Sequence, residues 1–88
     1  MIELPEKLDF SKADWLLESF RSMRGQDLTL SGQSVKFVGT LCAQILQVAA
    51  TEWKTTGHKL TVDASVAFWA DLALLGLKEN VLSCVVSK

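Results

Sequence analysis

A chain of 88 residues with 49% apolar side chains, 22% charged side chains and a single proline has room for one folded domain, and its composition excludes a disordered tail, a collagen-like repeat or a Pro-rich linker. A domain this small buries only about 60–65% of the surface its unfolded chain exposes, so it folds alone with little to spare. Nine Lys plus Arg against ten Asp plus Glu give a net charge of −1, split five to six over residues 1–44 and four to four over residues 45–88, so no basic face for nucleic-acid phosphates can be assembled.

In chain order, the alternation of Ile2-Glu3-Leu4 predicts a short edge strand, stopped at Pro5, which has no N–H to give to a ladder. Ser11 as N-cap, with Asp14 three residues on, reads as a helix start. Ala13, Leu16, Leu17, Phe20 and Met23 then recur at helical spacing until Gly25. Leu28-Thr29-Leu30-Ser31 has the two-residue period of a strand, broken at Gly32, and Gln33 to Val38 is a connection without a clear period. From Gly39 to Thr56 the pattern is helical. Val38, Cys42, Ile45, Leu46, Ala49 and Trp53 share one face, Gln44, Gln47, Thr51, Glu52 and Lys54 lie off it, and Gly57 stops the helix. Lys59 to Asp63 alternates as a further strand. Ser65 caps a third helix carrying Phe68, Trp69, Leu72 and Leu75, which ends at Gly76. The apolar run Val81 to Val86 reads either as a late strand or as an irregular arm.

The order β-α-β-α-β-α, with a terminal strand left open, predicts a single α/β domain over residues 1–88, with a core at about 2–77 and a tail or extra strand at 78–88. Crossovers that contain a helix imply three or four strands in a mainly parallel or mixed sheet. One layer of helices on one face covers so small a sheet most economically, which leaves Thr29, Ser31, Thr61 and Asp63 as candidates for the open face. An uncovered face or edge and an apolar C-terminal run also leave a homodimer open.

Chemistry-bearing clusters are absent from the sequence. His58 is the only histidine and stands in a Thr-Thr-Gly-His turn. Cys42 and Cys84 are far apart without CxxC spacing, so no metal-ligand set is expected. Both cysteines are expected to be buried free thiols of a reducing compartment. The five glycines form no phosphate-binding signature, and Glu18, Glu52 and Asp71 read as carboxylates scattered along helix surfaces. No cofactor and no catalysis are expected. No apolar stretch approaches the ~20 residues of a membrane span, and Met1 to Glu6 lacks the features of a signal peptide, so a cytoplasmic protein without direct membrane insertion is expected.

The segment that stands out is Val35-Lys36-Phe37-Val38-Gly39-Thr40-Leu41-Cys42, which sets a hydroxyl at the start of the second helix. The unpaired N–H groups of a helix start carry partial positive charge, so Thr40 there either caps the helix or carries a phosphate that the dipole favours.

The order of elements resembles a STAS domain over roughly residues 2–77. The residues that carry the resemblance are the strand Leu28-Thr29-Leu30-Ser31, the turn into Gly39-Thr40, the helix Leu41 to Trp53, Gly57, the strand Leu60-Thr61-Val62 and the ending Phe68…Leu72…Leu75-Gly76-Leu77. The run Gly39-Thr40-Leu41-Cys42-Ala43-Gln44-Ile45-Leu46, with Trp53 before Gly57, is similar to the compact STAS proteins of proteobacterial chemotaxis operons. STAS domains are bacterial anti-sigma factor antagonists and also occur in anion transporters and lipid-transport accessory subunits. In the family the second helix opens on an Asp-Ser/Thr-Ser-Gly-like motif, one hydroxyl of which is phosphorylated by a partner kinase. Thr40 falls on or next to that hydroxyl. This chain has Gly39 in place of the usual Ser or Asp, Leu41 or Cys42 in place of the motif's glycine, and Ser31 where an acidic residue often ends the preceding strand.

The resemblance implies a non-catalytic regulatory module that docks on a partner protein through the N-terminal end of the second helix and is switched by phosphorylation of Thr40. The expected partner is a kinase-like anti-sigma factor or a chemotaxis component. The expected docking residues are Ser34, Lys36, Gly39, Thr40 and Ser65. The alternative is an accessory subunit of a membrane lipid or ion transport system, bound to its cytoplasmic ATPase, which would show a larger and more apolar face. Trp15, off the Leu16/Phe20 stripe, is then an anchor candidate, unless Trp15, Trp53 and Trp69 all fill the core.

Overall fold

The computed structural model describes residues 1–87. The elements are β1 (Ile2–Glu3), β2 (Lys7–Leu8), a 3-10 turn (Phe10–Lys12), α1 (Ala13–Ser22), β3 (Leu28–Gly32), β4 (Phe37–Val38), α2 (Thr40–Thr55), β5 (Leu60–Ala64), α3 (Val66–Leu74), α4 (Lys78–Leu82) and β6 (Val86–Ser87). The α/β class predicted from the sequence is what forms.

The main sheet has four strands in the order β1-β3-β5-β6, every neighbouring pair parallel. Its centre is the five-residue pairing of β3 with β5, from Leu28 opposite Leu60 to Gly32 opposite Ala64. Alternation decides which face the helices cover. Leu28, Leu30, Leu60 and Val62 are buried, while Thr29, Ser31, Thr61 and Asp63 between them are more open. The core lies between that apolar face and the helices, where Leu16 and Phe20 of α1, Cys42, Leu46 and Trp53 of α2, Phe68 and Leu72 of α3 and Val81 of α4 converge. Trp53 closes the α1–α2 contact. Its ring meets Phe20 edge-on at 5.7 Å and 61°, and its indole N–H donates to the carbonyl of Gln26 at 2.8 Å.

Several local expectations need correction. Ser11 does not cap the first helix: it lies inside a 3-10 turn capped by Asp9, whose carboxylate accepts the N–H and the hydroxyl of Ser11, and α1 follows that turn from Lys12 with no side-chain cap of its own. β3 does stop at Gly32, which is itself the last residue of the strand. A Cβ there would lie 3.2 Å from the Ala64 methyl and 3.3 Å from a Leu4 methyl, so a larger residue would have to push these neighbours by a few tenths of an ångström. The connection from Gln33 to Val38 contains a strand, β4, in a second parallel sheet with β2. The C-terminal segment does add a late strand, β6, but only at Val86–Ser87, and Lys78–Leu82 before it form α4. Cys84 is half-buried rather than buried. Of the three tryptophans only Trp53 is a core residue; Trp69 is half-buried and Trp15 is 41% exposed.

Candidate functional site

Parallel strands β3 and β5 end at the same level, at Gly32 and Ala64, and the loops that follow carry the residues singled out in the sequence. Open α/β sheets hold their binding regions at this end. Ser34 sits exposed in the turn after β3, and Lys36 is exposed with its ammonium 3.9 Å from Glu6. Gly39 is the N-cap of α2, and Thr40 is its first residue and exposed. Ser34 and Lys36 thus lie before β4, and Gly39 and Thr40 after it, along the connection from β3 to α2.

Ser65 starts from the same end but faces inward. Its hydroxyl accepts the N–H of Phe68 at 3.1 Å and donates to the carbonyl of Val35 at 2.6 Å. It caps α3 and ties the loop before β4, so both uses of its oxygen are internal. Ser65→Ala is expected to lower stability by about 1–2 kcal/mol in chemical denaturation, the cost of a helix cap.

The start of α2 carries no side-chain cap, because its N-cap is glycine. Gly39 itself is held close: its N–H donates to the Leu8 carbonyl at 2.8 Å, and a Cβ would lie 3.2 Å from that same oxygen. A larger residue there would press on that carbonyl. The N-terminal crossing of β2 occupies the space. The first-turn N–H groups of α2 are left for solvent or a ligand, with the dipole adding partial positive charge. Asp9 approaches the same turn, since its backbone carbonyl accepts the Cys42 thiol at 3.2 Å. The hydroxyl of Ser11 first, and its N–H as well, hold the Asp9 carboxyl below the usual carboxylate range. The 3-10 cap is therefore favoured above the carboxyl's unfolded-state pKa and lost as pH falls through its lowered folded value.

Cys42 lies on the first turn of α2, a place that would lower a thiol's pKa if it were exposed. Here burial dominates and pushes it up, with the negative charge of Asp9 acting in the same direction. The thiol is an inert core group. Iodoacetamide at pH 8 is expected to label Cys84 first, with Cys42 reacting only on unfolding, as peptide mass mapping would show.

Apolar side chains are exposed on both α2 and α3. Leu41 is 47% exposed on α2, and one turn further Ile45 and Val48 line a groove of about 240 Å³ against Leu17 and Phe20 of α1, with the Arg24–Glu52 pair at its rim. On α3, Val66 and Leu74 are 87% and 85% exposed. The sequence offers a partial signal for the second patch, because α3 is apolar on nearly every side.

Among the described residues no group of three or more His, Cys, Asp or Glu could hold a metal ion, and no helix is long and apolar enough to cross a membrane. His58 stands half-buried beside Asp27, at 3.9 Å, on the helix-to-strand turn after α2. Comparison with known proteins returns no match: no protein-family model, no curated protein and no solved structure matches the chain.

Proposed function

We propose that the chain is a non-catalytic docking module of the STAS, anti-sigma-antagonist type, which binds a partner protein through the N-terminal end of α2. Phosphorylation of Thr40 switches that binding off. The partner is a kinase-like anti-sigma factor or a chemotaxis component in the cytoplasm of a bacterium, and neither nucleic acid nor a cofactor takes part. The observation that carries the reading is the presentation of Thr40: an exposed hydroxyl on the first residue of a sixteen-residue helix, at the carboxyl end of a parallel sheet, with no side chain capping that helix. A phosphate there adds a charge of about −2 where a partner must make close contact, which blocks docking by repulsion and desolvation. The test is whether Thr40→Glu loses a partner that wild type retains.

A second reading is favoured by the exposed apolar side chains. Val66 and Leu74 on α3, and separately the α1–α2 groove of Leu17, Ile45 and Val48, leave apolar side chains open to a lasting partner. That suits an accessory subunit bound permanently to a transport ATPase. Retention of such an ATPase by both wild type and Thr40→Glu would select this reading.

A further inference from the structure

Helix α3 reads Val66-Ala67-Phe68-Trp69-Ala70-Asp71-Leu72-Ala73-Leu74, one polar side chain in nine residues. A helix laid on a sheet ordinarily turns its polar side chains to water. In α3 Val66 and Leu74 face water, while Asp71 is half-buried and turned toward β4. The four salt bridges of the described residues do not include Asp71, so its role there is not ion pairing.

The reason for the inversion is a backbone N–H that no strand can take. β4 pairs with β2 on one side, where the N–H groups of Phe37 and Gly39 donate to the carbonyls of Glu6 and Leu8. The N–H of Val38 between them points the opposite way, as alternate groups of a strand do. Val38 is 3% exposed, so without a partner that donor would be stranded away from water. Asp71 Oδ2 accepts it at 2.8 Å, a charge-assisted bond in the place of a missing strand.

We propose that Asp71 is a positioning residue of the docking end: its carboxylate fixes β4, and through β4 the point at which α2 begins and Thr40 is presented. Thr40 lies two residues beyond Val38. At the other end of the same segment Ser65, the N-cap of α3, holds the carbonyl of Val35. Residues 35–38 thus hang from α3 at both ends and from β2 along the middle. The functional meaning of the role rests on the docking reading above, but its structural part is testable without a partner.

The test compares amide hydrogen exchange and 1H–15N spectra of the 88-residue wild type, Asp71→Asn, Asp71→Leu and Asp71→Ala. The asparagine oxygen still accepts an N–H; leucine and alanine cannot, and alanine adds no bulk should leucine prevent folding. In the leucine or alanine variant Val38 is expected to exchange at least about tenfold faster, the scale set by one lost buried hydrogen bond. Signals of Thr40, Leu41 and Cys42 shift, those of Lys54 and Thr55 at the far end of α2 stay, and asparagine restores the wild-type pattern. Unchanged exchange at Val38, changes spread evenly along α2, or asparagine behaving as leucine does would each overturn the role. Any of these leaves the docking reading standing, whereas a Thr40→Glu variant that keeps its partner removes the docking reading and leaves Asp71's hold on Val38 untouched.

Discussion

Trp53→Ala is expected to cost the domain about 3–5 kcal/mol in urea unfolding, the range for removing a large aromatic from a core. Trp53 is 2% exposed and is the largest fully buried side chain. Its removal opens a void between α1 and α2, takes away the edge-on contact with Phe20 and leaves the Gln26 carbonyl without its donor. A chain of 88 residues has a total stability of only about 4–13 kcal/mol. The variant should therefore sit close to its unfolding transition at room temperature. Trp53→Phe separates the contributions, since it keeps much of the ring and loses the N–H; about 1–3 kcal/mol is expected for it. A loss below about 1 kcal/mol for Trp53→Ala would contradict the packing of α1 on α2 described above.

What the sequence made legible follows from element length. β3, β5 and α2 are long enough for their periods to show, and α3 was visible through its Ser65 cap and Gly76 stop. The two-residue strands β2 and β4 have no period to read, and they form only because residues 7–8 and 37–38 meet in space. In α4 a single residue, Val81, is buried, while the run Val81 to Val86 carries a β-branched composition that argues for a strand; the core contact of Val81 outweighs it. The position of Thr40 at a helix start was readable. The inward use of the Ser65 hydroxyl and the inward turn of Asp71 were not, because both depend on which backbone groups of β4 lack a strand partner. In one dimension Asp71 is indistinguishable from a solvated carboxylate.

Thr40→Glu is expected to abolish partner binding while leaving the fold intact, and the two effects have opposite physical origins. At the first position of α2 a carboxylate meets the positive end of the helix dipole, worth about 0.3–1 kcal/mol in favour of the folded state. Thr40 is exposed, so the longer side chain displaces nothing in the core. The thermal midpoint should therefore stay level or rise. A partner seated over that turn must desolvate the new charge without an opposing group prepared for it, which costs several kcal/mol and at least about a hundredfold in affinity. Thr40→Val, close in shape and uncharged, is expected to bind within about tenfold of wild type.

The most direct measurement is affinity capture from lysate of the source cells with tagged wild type, Thr40→Val and Thr40→Glu, read by mass spectrometry, with the folding of each variant checked by its thermal midpoint. The account predicts that a kinase-like anti-sigma factor or a chemotaxis component comes down with wild type and Thr40→Val and is missing with a folded Thr40→Glu. The same partner retained at equal levels by Thr40→Glu would contradict it.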